Sequence, residues 1–184
     1  MQAKSKKGKM SKNEHLVYAK SLIADVPDFP KPGILFKDIT PVLQDPQAFQ
    51  DVIEDLASHL NGANKVAGIE SRGFIFAAAI AAKYNLGLVL LRKPGKLPRE
   101  THAVQYQLEY GFDSLEIHQD ALDSNDSVLL IDDVLATGGT LLAGSELITK
   151  AGAKLTNCAV FIEISALNGR NRLSSIPVHS SIIV

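Results

Sequence analysis

At 184 residues, with 46% hydrophobic and 21% charged side chains, the chain has the make-up of one globular domain rather than a disordered tail or a fibre. A net charge of −1, from 19 basic and 20 acidic residues, argues against a nucleic-acid binder, and no apolar run approaches the roughly 20 residues of a membrane span. The single cysteine, Cys158, excludes an internal disulfide and a cysteine-based metal cluster, and it suits a reducing, cytoplasmic compartment.

The charge is unevenly spread. Residues 1–12 hold five lysines and no acid, so the other 172 residues carry 14 basic and 20 acidic groups. With neither an apolar core nor an arginine, this leader reads as a basic, disordered tail rather than a targeting signal. Residues 13–184 then form one domain, in which 13–45 make a small N-terminal hood. Apolar spacing predicts a first helix over Asn13–Ala24, with Asn13 near its N-cap. Pro27, Pro30 and Pro32 break it, and a short apolar run follows at Ile34–Phe36. Asp45 starts a second helix with Pro46 at N1, and Phe49, Val52, Ile53, Leu56 and Leu60 form its apolar stripe.

Short apolar strands are then predicted at Val66–Ile69, Leu88–Leu91, Val128–Ile131, Asn157–Ile164 and Val178–Val184. They alternate with helices at Phe74–Tyr84 and about Leu141–Lys150, the pattern of a twisted parallel sheet covered by helices on both faces. Residues 92–118 interrupt the rhythm. Their two alternating stretches, Ala103–Leu108 and Ser114–His118, predict a hairpin, and an excursion this long is usually functional.

Chemistry concentrates in four places. Val128–Ile131 leads into Asp132 and Asp133, and then into Ala136-Thr137-Gly138-Gly139-Thr140 at a helix start. Such a turn offers backbone N–H groups and hydroxyls to a phosphate, with glycines keeping side chains out of its way. The aspartates can accept from sugar hydroxyls or meet a hydrated Mg²⁺. Acid pairs after a strand also occur in Walker-B and response-regulator sites, but the G-x-x-x-x-G-K-[ST] loop of the former is absent. The second place is Glu70-Ser71-Arg72-Gly73, where Arg72 offers a planar fork to oxyanions, although a lone loop arginine is more often a surface ion pair. The third is Arg92–Arg99, four cations in eight residues, either a solvated basic loop or a clamp on a polyanion. Eight carboxylates and no Lys or Arg follow between Glu109 and Asp133, so 92–118 reads as a flexible catalytic loop that closes over charged substrate. The fourth is Leu108-Glu109-Tyr110-Gly111, where an acid in a bend is ordinarily a solvated one.

The stretch Val128–Thr140 closely resembles the phosphoribosyl pyrophosphate motif of type I phosphoribosyltransferases. The hood segment Pro27-Asp28-Phe29-Pro30…Pro32–Ile39, the run Arg92–Pro98, the Leu108–Gly111 bend and the late Glu163…Leu167-Asn168-Gly169-Arg170 element resemble the adenine-specific branch of that family. The resemblance covers the chain from about Asn13 onwards. It implies transfer of a phosphoribosyl group from its pyrophosphate ester to adenine, giving AMP and pyrophosphate in purine salvage, with Mg²⁺ and a homodimer. It further implies that Ala136–Thr140 hold the 5′-phosphate and that Asp132 and Asp133 face the ribose hydroxyls. Ser71, Arg72, Arg92, Lys93 and Lys96 would contact pyrophosphate, one of the cations across the dimer interface, and the Glu70–Ser71 peptide would be cis. Leu35, Phe36 and Lys37 would line the adenine pocket, Lys37 partly through its backbone. Glu109 would be the general acid/base, with Tyr110 beside it and Arg72 as its catalytic companion at the leaving group. Mg²⁺ would be bound mainly by substrate and water. Ala77 departs from the glycine of the family's Gly-Phe-Ile-Phe-Gly pattern, which predicts a packing difference.

Overall fold

The computed structural model describes residues 11–107 and 111–184, so Glu109 and Tyr110 lie outside the described residues, as does most of the lysine leader. Two compact units divide the chain, one reaching to Val52 and the other running from Ile53 to Val184. In the first, helix α1 spans Lys12–Ser21. Its N-cap is Ser11 rather than Asn13, because Ser11 and Glu14 satisfy each other: the Ser11 N–H donates to Glu14 Oε2 at 2.6 Å and the Glu14 N–H to Ser11 Oγ at 3.4 Å. The helix also stops earlier than expected, since Ala24–Pro27 forms a strand, β1, that pairs antiparallel with β2, Leu35–Asp38. Pro27 closes β1, an edge strand of a two-stranded sheet, where proline is tolerated. A short helix α2, Thr40–Gln44, precedes α3, Pro46–Ala57, which carries the boundary between the units. Asp45 caps α3 as expected, accepting the Ala48 N–H at 2.8 Å.

The second unit is built on a five-stranded parallel sheet in the order β4-β3-β7-β8-β9. Its strands are β3 (Lys65–Ile69), β4 (Gly87–Leu91), β7 (Ser127–Leu135), β8 (Lys154–Glu163) and β9 (Val178–Ile183). Alternate side chains divide the two faces. Ala67, Val89, Leu130 and Val160 bury against Leu147 and Ile148 of helix α5, Gly139–Lys150. The opposite face takes helix α4, Gly73–Tyr84, where Phe76 meets Phe161 with centroids 5.8 Å apart. Ala77 packs its Cβ over Gly68 of β3, where a Cβ on Gly68 would lie only 2.8 Å from it.

The interval after β4 forms the expected hairpin, β5 (Thr101–Gln107) with β6 (Phe112–His118). Its inward residues Tyr106, Leu115 and Ile117 join the α5-side core, and a backbone bridge between Arg92 and Glu116 ties it to the end of β4. No helix among the described residues is long and apolar enough to cross a membrane. One expectation needs correction. β7 does not end at Ile131 but continues through the acid pair to Leu135, because β8 keeps pairing with it at Asp132↔Val160, Val134↔Ile162 and Leu135↔Glu163.

Candidate active site

The carboxyl ends of β3, β4 and β7 bring the sequence-selected loops of the second unit together, as open parallel sheets do. Asp132 and Asp133 are 8% and 6% exposed, and the Asp133 N–H donates to Asp132 Oδ1 at 2.9 Å. Gly73, the first residue of α4, presses its backbone against this pair; a Cβ on it would stand 2.8 Å from the Ile131 carbonyl oxygen. The close fit brings Arg72 alongside, with Nε 2.8 Å from Asp133 Oδ2. The contact lacks hydrogen-bond alignment, so that buried oxygen has charge compensation but no donor. Burial, and then the charge of Asp133, pushes the Asp132 carboxyl well above the usual carboxylate range. Burial raises Asp133 too, against the pull of Arg72.

Beyond Asp133 the chain turns through Ala136 and Thr137 into Gly138, which adopts φ +82° and starts α5 without a side-chain cap. The first N–H groups of a helix have no intrahelical acceptor, and the first turn of α5 contains no acid to compete for them. The glycine requirement at Gly138 has a cause within the fold besides room for a ligand. A Cβ there would lie 2.4 Å from the carbonyl oxygen of Gly169, so the side chain is excluded by a neighbouring turn.

The loop after β3 begins with a cis Glu70–Ser71 peptide, as the family pattern implies. Glu70 is the hub that sequence reasoning missed. Its carboxylate accepts the Lys93 N–H at 2.9 Å and pairs with Arg92 Nε at 3.1 Å. Burial alone would raise its pKa, but the Lys93 N–H, Arg92 and the charge of Lys96 hold it below the usual carboxylate range. Arg92 is thus held on Glu70, with Lys96 acting through its charge, and Arg92 also lies 5.9 Å from the Phe74 ring at the start of α4. The Lys93 side chain instead reaches the hairpin, meeting Asp113 and Tyr106 Oη. Ser71 is exposed. The loop that begins with Glu70 stands out in the sequence for Arg72, but nothing local marks Glu70 or Asp113 as partners of the cations, since their partners lie about 20 residues away.

Leu35, Phe36 and Lys37 lie on β2 of the first unit. Leu35 is 49% exposed, Phe36 meets Phe29 edge-on with centroids 5.1 Å apart, and Lys37 Nζ pairs with Asp25 at 2.6 Å. Lys37 therefore has its ammonium committed within its own hairpin, where Asp25 is its register partner.

The phosphoribosyl transferase domain family matches residues 42–178. The chain is 52% identical over 163 residues to the adenine phosphoribosyltransferase of Synechococcus sp., covering 88% of this chain and 95% of that one. It is 55% identical over 156 residues to that of Roseiflexus castenholzii, covering 84% and 91%. The chain belongs to the adenine phosphoribosyltransferase family. A crystal structure of the adenine phosphoribosyltransferase from Rhodothermus marinus superposes with a TM-score of 0.89 at 47% identity, covering 94% of this chain and 99% of that one. The one from Saccharomyces cerevisiae, complexed with an imino-altritol bisphosphate and adenine, gives 0.87 at 34% identity, covering 92% and 99%. In this chain the cations, the acid pair and the uncapped turn share one end of a single sheet, and only the tertiary structure reveals the Glu70 carboxylate that pairs with the first of these cations, Arg92.

Proposed function

We propose the following division of labour for the adenine phosphoribosyltransferase reaction in this chain. Ala136–Thr140 hold the 5′-phosphate of phosphoribosyl pyrophosphate, Asp132 and Asp133 receive the ribose hydroxyls, and Ser71, Arg72, Arg92, Lys93 and Lys96 hold the pyrophosphate. Leu35, Phe36 and Lys37 line the adenine pocket. The observation that carries the reading is the meeting, at one end of the sheet, of an uncapped glycine turn, a buried carboxylate pair and the start of the cation run, with Arg92 paired to Glu70 and Lys93 to Asp113. An anion-rich substrate can replace Glu70 and Asp113 as the partner of those cations.

In synthesis a ring nitrogen of adenine bonds to carbon 1 of the ribose as the carbon–oxygen bond to pyrophosphate breaks. Positive charge grows on the sugar and negative charge on the departing group, so Arg72 and the Arg92–Lys96 cations lower the barrier by neutralising the latter. Glu109 takes the proton that adenine gives up and returns it in the reverse direction. Among the described residues no group of three or more His, Cys, Asp or Glu is arranged to cage a metal, whereas the buried Asp133 Oδ2 lacks a donor. The paired carboxylates fit Mg²⁺, which would be held chiefly by substrate oxygens and water, with Asp132 and Asp133 as its nearest protein groups. When bound, Mg²⁺ offsets pyrophosphate charge.

A second copy of the chain is assigned to the apolar face of α4 and β4. Gly68↔Leu90 pairing places Leu90 on the α4 side of the edge strand, where Ile75, Leu88 and Leu90 are 39%, 43% and 37% exposed. Arg92 and Lys93 follow directly on β4, so a partner seated there is beside the cation loop. The lone buried Cys158 supports a cytoplasmic setting. A base panel with phosphoribosyl pyrophosphate and Mg²⁺, following pyrophosphate release, tests the activity. Adenine alone should turn over efficiently, and comparable turnover of xanthine or orotate would overturn the assignment.

A further inference from the structure

The turn at Ala136–Thr140 is supported from behind by a second turn, at Asn168–Gly169. With a Cβ on Gly169 only 2.2 Å from the Ala136 carbonyl oxygen and one on Gly138 only 2.4 Å from that of Gly169, the two backbones lie in direct apposition. The position of one turn therefore dictates the position of the other. Asn168, at φ +51°, directs the chain into Gly169 between two 3₁₀ turns, Ser165–Leu167 and Gly169–Leu173.

The next residue, Arg170, fixes this second turn. Its Nε donates to both oxygens of Glu163 at 2.8 and 2.9 Å, and Nη2 donates to Glu163 Oε2 at 2.7 Å. Nη1 donates to the Val178 carbonyl at 2.8 Å and Nη2 to Ser180 Oγ at 3.0 Å, while Ser180 Oγ donates to Glu163 Oε2 at 2.6 Å. Burial works to raise the Glu163 pKa, yet Arg170 and Ser180 hold it below the usual carboxylate range, so the ion pair stays charged at neutral pH. Glu163 ends β8 directly opposite Leu135, the residue before Ala136, and the next N–H, from Ile164, donates to the Leu135 carbonyl at 3.0 Å. A closed circuit results, running from β7 across to Glu163, through Arg170 to Gly169, and back onto Gly138.

We propose that Glu163 and Arg170 are positioning residues for the 5′-phosphate turn: their multiply bonded pair sets the Asn168–Gly169 turn, which sets the backbone N–H groups of Gly138–Thr140. Neither side chain needs to touch substrate. The proposal rests on the assignment of Ala136–Thr140 to the 5′-phosphate, and its test separates the two. Arg170→Met, Arg170→Lys, Glu163→Gln and, as a direct perturbation of the turn, Thr140→Val are compared by calorimetry with ribose 5-phosphate, AMP and pyrophosphate, and by steady-state kinetics.

Displacing the turn should weaken ribose 5-phosphate and AMP by roughly 10-fold or more in Arg170→Met, since misplacement far from the chemistry is costly. Pyrophosphate affinity should change less than about threefold, and the KM for phosphoribosyl pyrophosphate should rise with kcat at saturation much less affected. Arg170→Lys, which retains charge but not the whole set of bonds, should fall in between. Should Arg170→Met not fold, Arg170→Lys and Glu163→Gln carry the same comparison. Equal losses for pyrophosphate and ribose 5-phosphate, or lowered thermal stability with no change in ligand affinity, would reduce the pair to a structural tie and overturn the proposal. If Thr140→Val leaves ribose 5-phosphate binding intact, the phosphate assignment itself fails; if it weakens binding and the Arg170 variants do not, only the positioning role fails.

Discussion

Gly138→Ala isolates the contact between the two turns. Gly138 combines φ +82° with a Cβ position 2.4 Å from the Gly169 carbonyl oxygen. The left-handed backbone costs an alanine about 1–2 kcal/mol. The backbone overlap must be relieved by moving one turn by roughly 1 Å, since carbon and oxygen in ordinary contact stand over about 3 Å apart, and such strain adds about 1–3 kcal/mol. A total near 2–5 kcal/mol should lower Tm by roughly 4–20 °C for a chain of this size. The same displacement, at the turn assigned to the 5′-phosphate, should weaken AMP by about 100-fold. Gly152→Ala is the control: its φ is +90°, but a Cβ there meets nothing within 4 Å. It should show the backbone penalty alone and bind AMP normally. Scanning calorimetry and titration calorimetry on both variants give the comparison. If Gly138→Ala melts no lower than Gly152→Ala, or binds AMP within about threefold of the parent, the apposition does not govern the turn.

Asp132→Asn should stabilise the free protein in a pH-dependent way. Because its carboxyl titrates above its unfolded value of about 3.9, its contribution to stability is complete below that pH and is lost as pH rises through the folded value. The Tm gain of the asparagine variant should therefore be near zero at about pH 4 and grow towards neutrality; a constant or reversed difference would contradict the burial argument. Glu109→Gln should lower kcat by roughly 10²–10⁴ with little change in substrate affinity, and near-parental turnover would dismiss the acid/base role. Cys158 is wholly buried, and burial pushes its thiol up to about 12, so a disulfide reagent should label it only on unfolding. Leu90→Asp should shift a dimer towards monomer in analytical ultracentrifugation; an unchanged sedimentation coefficient would move the second copy to another face.

Much of this molecule was legible locally. Apolar runs marked all five strands of the sheet, Asp45-Pro46 marked the start of α3, and the acid pair and small turn of Val128–Thr140 marked the end of β7 and the start of α5, the region proposed for the 5′-phosphate. These signals depend on residues within a few positions of one another. Where local signals misled, a distant partner had intervened: Asp132 and Asp133 read as the exit from a strand, yet β8 keeps β7 paired beyond them. The strand Ala24–Pro27 was hidden by its proline and its short length, and exists through pairing with Leu35–Asp38.

Fold class and the order of the chemical loops follow from strand periodicity and motif spacing, and the family from motif resemblance, all of them properties of neighbouring residues. Which charges meet is a matter of tertiary packing. Glu70 lies 22 residues before Arg92 and becomes its partner because β3 and β4 are adjacent in the sheet. Gly138 must be glycine because Gly169, far along the chain, brings a carbonyl oxygen against it. Contacts of that kind are set by packing, and no spacing rule along the chain contains them.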